Sequence, residues 1–407
     1  MGDTVSVLVE PKTASRFETK TAGAVILGGD YQGLGIVRSL GRRGVPTCVV
    51  DDEHSIARYS RYAKRFVHFP NLKDERHTVD QLLSLGRRWG LEGWLLYPTR
   101  DELVAAISRH REELSEMFRV PTAEWESVRW AWDKRNTYEL ARQLGIPIPA
   151  TWYPDSVADL EQFGEVAPPF AIKPAIKEHF IYATRVKAWR AESHAELRSL
   201  FLKAFDIVGP GEVMVQEVIP GGGSQQYSYC AFFRDGEAVG SMVARRRRQH
   251  PLLFGRASTF VETIDQPELA EVSERFLRAI DYYGLVELEY KLDPRDGKFK
   301  LLDVNARTWG YHTLGACAGV DFSYLLFKDQ TGLATLPAKA RPGVGWTRTT
   351  TDIPTVVLEF LSGSLSPSEY LGSLGMCRAD AVFSLSDPLP GIVELFLIPY
   401  LAAKRGF

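Results

Sequence analysis

Short apolar runs alternate with helical patterns through the first third of the chain. Residues 22–27 are small or apolar without interruption and predict a buried strand. A glycine-rich turn, residues 28–35, follows, and a helical pattern begins near Ile36 and ends at Gly44. Residues 45–50 predict the next strand, closed by Asp51 and Asp52. Residues 93–98 predict another, with residues 99–102 capping the helix after it. This alternation predicts a small doubly wound α/β domain over residues 22–130. Residues 1–21 read as a loose polar tail.

The pattern changes after residue 130. A helix is expected from Trp130 to Leu144, stopped by Gly145. Strands are expected at residues 170–174, 184–188 and 213–219, with a helix at 194–205 and a glycine turn at 220–223. Period-two strands then pair as hairpins, 226–233 with 237–245 and 285–293 with 298–304, each around an Asp-Gly turn. A helix at 267–283 separates them. The apolar run 392–403 carries Glu394 and Pro399 and is shorter than the ~18 residues of a membrane span, so a packed amphipathic helix is expected there.

Composition narrows the classes. A hydrophobic share of 45% supplies a sizeable core and excludes disorder of the whole chain. Lys and Arg number 49 against 51 Asp and Glu, which excludes a chain that binds nucleic acid through a global positive charge. The cysteines, Cys48, Cys230, Cys317 and Cys377, are widely spaced and lack a C-x-x-C pair. They suit reduced thiols and a cytoplasmic setting.

Candidate chemistry sits in the second hairpin. Strand alternation puts Glu287 and Glu289 on one face, and Asp303, Asn305 and Arg307 on one face. Such oxygen donors suit Mg²⁺, and an arginine beside them suits phosphate. The plain alternative is a solvated hairpin with alternating charge. Lys173 emerges from a buried strand, so its ammonium needs polar company such as a polyphosphate. Lys134 opens a helix and is otherwise a solvated residue. Residues 215–221 read as a strand running into a hinge whose backbone suits an adenine edge. The glycine loop at 28–35 with Asp51 imperfectly matches a dinucleotide fingerprint, or serves only tight turning and close helix packing. Arg245 to Arg248 form a local basic run. Alternation turns either Arg245 and Arg247 or Arg246 and Arg248 toward a site, and the first pair is favoured.

The order Asp133-Lys134, Ile172-Lys173-Pro174, 216–221, Glu287-x-Glu289 and Asp303-x-Asn305-x-Arg307 resembles the ATP-grasp superfamily, most of all its carboxylate–amine ligase branch. The resemblance runs from about Ala22 to Asp329. It implies a mixed α/β ATP-grasp fold: a pre-ATP-grasp domain at 22–130, an ATP-grasp domain at 131–345 with a lid at about 150–218, and a C-terminal extension at 346–407. It implies that Lys134, Lys173 and Lys187 hold the ATP phosphates, and that Gln216, Glu217, Val218 and Ile219 line the adenine pocket. Glu289, Asp303 and Asn305 would bind Mg²⁺. Arg307 would contact the transferred phosphate, with Arg245 and Arg247 on phosphate or substrate carboxylate.

The implied reaction joins a small-molecule carboxylate to an amine, amino acids included, through an acyl phosphate, releasing ADP and phosphate. A kinase- or carboxylase-type ATP-grasp enzyme and a non-catalytic nucleotide-binding protein are the alternatives. No nucleic acid or transmembrane segment is expected, and the assembly, a homodimer included, stays open. Two departures stand out. Asp303 replaces the usual, longer Glu. The lid segment after Lys173 has no glycines, so Lys177, His179 or Lys187 would replace backbone contacts to phosphate.

Overall fold

Four parallel strands build the N-terminal unit: β1 (Ala24–Leu27), β2 (Thr47–Asp51), β3 (Ala63–His68) and β4 (Leu95–Pro98), in the order β3-β2-β1-β4. Helices α1 (Tyr31–Gly41), α2 (Glu75–Trp89), α3 (Asp101–Arg109) and α4 (Arg111–Ser115) complete it. The structure is a computed structural model that describes residues 22–163, 165–252, 254–255 and 257–405; the expected tail, 1–21, lies outside the described residues. Strands β1, β2 and β4 are buried throughout, as their unbroken apolar runs require. Helix α1 starts before its apolar pattern does, because Asp30 caps it by accepting from Gln32 N at 3.0 Å. Thr99 does not cap α3. Its hydroxyl donates to Leu27 O at 2.9 Å, and the cap position falls to Arg100.

The single helix expected over 130–144 is two, α5 (Trp125–Trp132) and α6 (Lys134–Gln143). Asp133 leaves helical geometry between them and accepts from Arg135 N at 2.9 Å, which starts α6 afresh. A small antiparallel sheet follows: β5 (Thr151–Trp152), β6 (Phe170–Pro174), β7 (Trp189–Ala191) and β8 (Val213–Glu217), ordered β5-β8-β6-β7. Helix α7 (Lys177–Thr184) lies in the segment expected to be a loop leading into a strand at 184–188. Arg185 ends it in the left-handed region at φ 63°, so extended chain resumes only at Trp189. Helix α8 (His194–Val208) covers the small sheet around Phe163, Phe170 and Phe201.

The large sheet holds β9 (Gln226–Arg234), β10 (Glu237–His250), β11 (Ala257–Ile264), β12 (Gly284–Leu292), β13 (Phe299–Asn305), β14 (Ala338–Lys339), β15 (Gly345–Thr347) and β16 (Cys377–Asp380). Its order is β13-β12-β9-β10-β11-β15-β16, with β14 on β10. Helices α5, α6 and α9 (Pro267–Ala279) cover one face. Helices α1, α10 (Thr313–Ala318) and α11 (Phe322–Gln330) cover the other, so one apolar cluster runs from Ile26 and Leu34 to Trp309 and Trp346 and fuses the N-terminal unit to the sheet. Three helices end the chain: α12 (Thr349–Leu361), α13 (Pro367–Met376) and α14 (Leu389–Arg405). The residues after 345 are no appended unit, since β15 and β16 continue the large sheet.

Candidate active site

The acidic hairpin has the register its alternation predicts. Glu287 lies opposite Asn305 and Glu289 opposite Asp303, with a bulge just after Glu289. Asn305 Nδ2 donates to Glu287 Oε2 at 3.1 Å and to Glu289 Oε1 at 2.9 Å. Arg307 Nη2 donates to Asn305 Oδ1 at 3.2 Å. Lys134, brought by the start of α6, forms an ion pair with Asp303. Arg246, from β10, stands 3.4 Å from Glu289 Oε2.

These contacts set the charges. Burial is the largest influence on Asp303 and Glu289 and raises both, but Lys134, Lys177 and Lys187 together outweigh it at Asp303, and Arg246, Lys187 and the Asn305 hydrogen bond together at Glu289, so both carboxyls lie below their usual range. Glu287 is pushed up to about 7, by burial first and then by Glu289. Tyr311 donates to it. Burial brings the Lys187 ammonium down to about 8, against the pull of Glu289.

Glu289, Asp303 and Asn305 present hard oxygen donors on adjacent strands, which is the donor chemistry of Mg²⁺. Their present partners, Lys134, Arg246 and Arg307, are cations whose place a divalent ion can take. Among the described residues no three His, Cys, Asp or Glu side chains cluster as a metal site, so the amide oxygen of Asn305 has to complete the set.

Two cavities meet here. One, of about 190 Å³, is lined by Lys134, Lys173, Lys187 and the 216–219 segment. The other, of about 320 Å³, is lined by Arg100, Arg307, Tyr311 and residues of α7. Lys177, Lys187, Arg246 and Glu289 line both. In the first, Lys173 Nζ donates to Tyr138 Oη at 3.1 Å, and Lys291 Nζ fixes the hinge by donating to Ile219 O at 2.9 Å and Gly221 O at 2.8 Å. Glu217 turns its carboxylate onto Lys300 and Arg295, so it offers the pocket its stem and backbone.

Two expectations need correction. Arg245 and Arg247 face away from the cleft. Arg245 Nε donates to Ser224 O at 3.0 Å, and Arg247 Nε to Glu262 at 2.7 Å. Arg246 is the buried arginine at the site. The register shift that follows it sends Arg248 to Asp352 at 2.8 Å. His179 is no phosphate ligand either, since it pairs with Glu212 at 2.8 Å away from both cavities.

Asp101 was not anticipated. At the start of α3 it accepts from Arg307 Nε at 2.8 Å and pairs with Lys177 of α7. One carboxylate of the N-terminal unit thus holds the large sheet and the lid together. Tyr182 Oη on Glu102, at 2.8 Å, and Lys73 over the Tyr182 ring add to the same seam. The only sequence signal was an Asp in a first helical turn, which has a local explanation in the helix dipole.

The glycine loop is closed to a dinucleotide. Asp51 accepts from Gly29 N at 2.7 Å and pairs with Arg100 at 2.6 Å. A Cβ at Gly33 would stand 2.1 Å from Gly28 O. Its glycines serve close packing.

A parallel α/β unit, a small antiparallel lid and a large sheet that grip a polar cleft between them define the ATP-grasp arrangement. Residues 211–350 match the family described as ATP-grasp in the biosynthetic pathway with Ter operon. That match covers about a third of the chain, and the fold around it is the ATP-grasp fold. It is 27% identical over 301 residues to the D-aspartate ligase of Enterococcus faecium, covering 70% of each chain. It superimposes on the L-amino acid ligase of Bacillus licheniformis with a TM-score of 0.62 at 15% identity, covering 81% of this chain and 79% of that one. The biotin carboxylase domain of Hydrogenobacter thermophilus 2-oxoglutarate carboxylase gives 0.64 at 14% identity, covering 80% and 74%. These structural likenesses concern the fold.

Proposed function

We propose that the chain is an ATP-dependent ligase that joins a carboxylate to an amine. The observation that carries this reading is the pair of adjoining cavities sharing Lys177, Lys187, Arg246 and Glu289. A nucleotide held in the first presents its terminal phosphate to a carboxylate held in the second. The 27% identity to a D-aspartate ligase supports ligation over carboxylation.

The chemistry follows from charge. A substrate carboxylate oxygen attacks the γ-phosphorus of ATP, the bond to ADP breaks, and an acyl phosphate forms. The amine attacks the acyl carbon and loses a proton, and phosphate leaves. Two anions must meet in the first step, so cations have to offset their repulsion. Lys134, Lys173 and Lys187 hold the phosphates, and Arg246 and Arg307 stand where the transferred group passes. Glu289, Asp303 and Asn305 would hold Mg²⁺, which would supply charge neutralisation on the phosphates. Helix α7 closes the lid over the second cavity and excludes water from the acyl phosphate. Arg100 and Arg307 beside Glu102 and Glu178 give that cavity both signs of charge, which suits an amino acid. ATP and four free thiols both accord with a cytoplasmic setting.

The test is ADP release from purified protein with ATP, Mg²⁺ and pooled amino acids. Release that needs both a carboxylate and an amine, with a new amide seen by mass spectrometry, is expected. ADP formed with bicarbonate alone, or with no amine required, rejects the ligase.

A further inference from the structure

Polar and apolar positions are reversed on helices α12 and α14. A helix on a water-exposed surface turns its charges outward and its aliphatic stripe inward. On α12 every exposed position is apolar, Ile353, Val357, Leu358 and Leu361 among them, while Thr351, Asp352 and Thr355 are buried. The same holds for α14 over residues 389–401, where Ile392, Leu395 and Phe396 face out and Glu394 is buried. Arginines hold the inward acids, Arg248 on Asp352 at 2.8 Å and Arg348 on Glu394 at 2.9 Å. The two faces adjoin, because Val357 and Leu358 line one groove of about 470 Å³ with Ile398 and Leu401. The turn before α14 continues them. Leu385 is fully exposed, and the Phe383 ring lies against Gly391, where a Cβ would stand 2.7 Å from it. Among the described residues, fourteen of the twenty exposed large apolar side chains fall within 353–398, so they form a patch and not a scatter.

We propose that this face seats the protein on an anionic lipid surface. The charge at its border argues for that occupant. Arg42, Arg61 and Arg378 are exposed beside the 383–389 turn, and among the described residues no carboxylate pairs with their side chains. Arg42 Nη2 donates to Ser386 Oγ at 3.1 Å, Arg61 Nη1 to Ser386 O at 3.5 Å, and Arg378 Nη1 to Gly375 O at 2.9 Å. Arg42 and Arg378 also share a cavity of about 550 Å³ with Phe383 and Ser384, which has room for a headgroup phosphate at the edge of the apolar turn. The acids of that cavity are engaged: Asp321 pairs with Arg43 at 2.8 Å, and Asp380 accepts from Val382 N and Phe383 N, each at 2.7 Å. Helix α14 itself ends in Lys404 and Arg405. An apolar face flanked by Lys or Arg is the pattern of a helix lying in a membrane interface, with its cations on the phosphates.

The neighbouring acids do not oppose this. Glu359, the last acid of the two helices, is half-buried, and burial raises its carboxyl above the usual range. Glu369 of α13 is spent on its own helix, as the cap partner of Ser366. A second copy of the chain would bring the same arginines to the same border, with no exposed acid on α12 or α14 to meet them. Among the described residues no helix is long and apolar enough to cross a membrane, so the contact is with the surface alone.

The experiment is flotation of the full chain with phosphatidylglycerol–phosphatidylethanolamine vesicles, and with phosphatidylcholine vesicles for comparison. Binding to the anionic vesicles is expected to exceed binding to the neutral ones by about tenfold or more. Leu385→Glu with Phe396→Glu is expected to reduce flotation at least about tenfold, and so is Arg42→Gln with Arg378→Gln. Leu336→Glu, exposed on the loop before β14, is expected to leave it unchanged. Unfolding temperatures should match wild type throughout. If the glutamate pair unfolds the chain, hydrogen exchange on the wild type decides: anionic vesicles that slow exchange across α12, α14 and the 383–389 turn support the seat, and unchanged exchange overturns it. Protein that does not float, that binds phosphatidylcholine equally, or that floats undiminished in both double variants overturns the proposal. So does protection of these helices that rises with protein concentration and needs no vesicles, which marks self-association instead. No substrate enters the assay, so its failure leaves the ligase reading untouched.

Discussion

The glycine loop after β1 and the acidic hairpin of β12 and β13 start from similar material. Each sets a carboxylate beside an arginine at the end of a strand. They differ in what holds the carboxylate. Asp51, at the end of β2, is fixed by a backbone amide of the glycine loop, Gly29 N, and by Arg100. Asp303 and Glu289 are held by side-chain cations from other elements, Lys134 on α6 and Arg246 on β10. A backbone partner cannot leave without unfolding the turn, while a side-chain cation can swing onto a phosphate. A candidate site is therefore marked less by its acids than by whether their partners can be exchanged.

The largest test of that contrast is Asp303→Ala. ADP release should fall at least about 1,000-fold, some 4 kcal/mol of barrier, with the unfolding temperature little changed. Turnover within tenfold of wild type would place the metal elsewhere. The loop should instead register in stability. His312 packs behind it, its ring nitrogen donating to Gln32 O at 3.1 Å, and burial brings its pKa down to about 4, with Asp321 and Asp30 opposing. The unfolded chain takes up this proton near pH 6.5 and the folded one only near 4. Its contribution to stability is therefore full above about pH 6.5, and about 3 kcal/mol is lost as pH falls to 4. Denaturant titrations should show that slope in wild type and lack it in His312→Gln.

Asp51→Ala leaves Gly29 N without its acceptor and Arg100 with Asp52 alone, and should cost about 2 kcal/mol of unfolding free energy, while ADP release from the folded fraction stays within a few-fold. A large loss of turnover without loss of stability would erase the contrast. The smallest test reads the phase of β10. Arg246→Gln should lower kcat/KM about 100-fold, near 2.7 kcal/mol, and Arg247→Gln should change it less than about twofold, because its partner Glu262 lines neither cavity.

The hairpin was legible because period-two alternation with one polar face fixes both register and direction. The phase of the arginine run was not. Met242, Val243 and Ala244 before it are all buried, since helices cover both faces of the large sheet, so neighbouring residues carry no parity signal. A bulge beside Arg246 then breaks what alternation remained. Helix α7 was missed for another reason. It is an eight-residue helix held by contacts to Asp101 and Glu102, far away in sequence, and local pattern cannot report such support. Asp133 and Thr99 show the same limit at helix ends: one short polar residue decides whether a helix breaks or caps, and its choice depends on which backbone group lies within reach.

Asp101 has a further consequence, for inheritance. It answers to Arg307, 206 residues away, and to Lys177, 76 residues away. Replacing it removes a carboxylate partner from two cations at once, so the three positions have to drift as a set. A recombination event that exchanged the N-terminal unit for a relative's would succeed only if the donor brought an acid to this one place. The seam thus acts as a compatibility check on which modules can be spliced together.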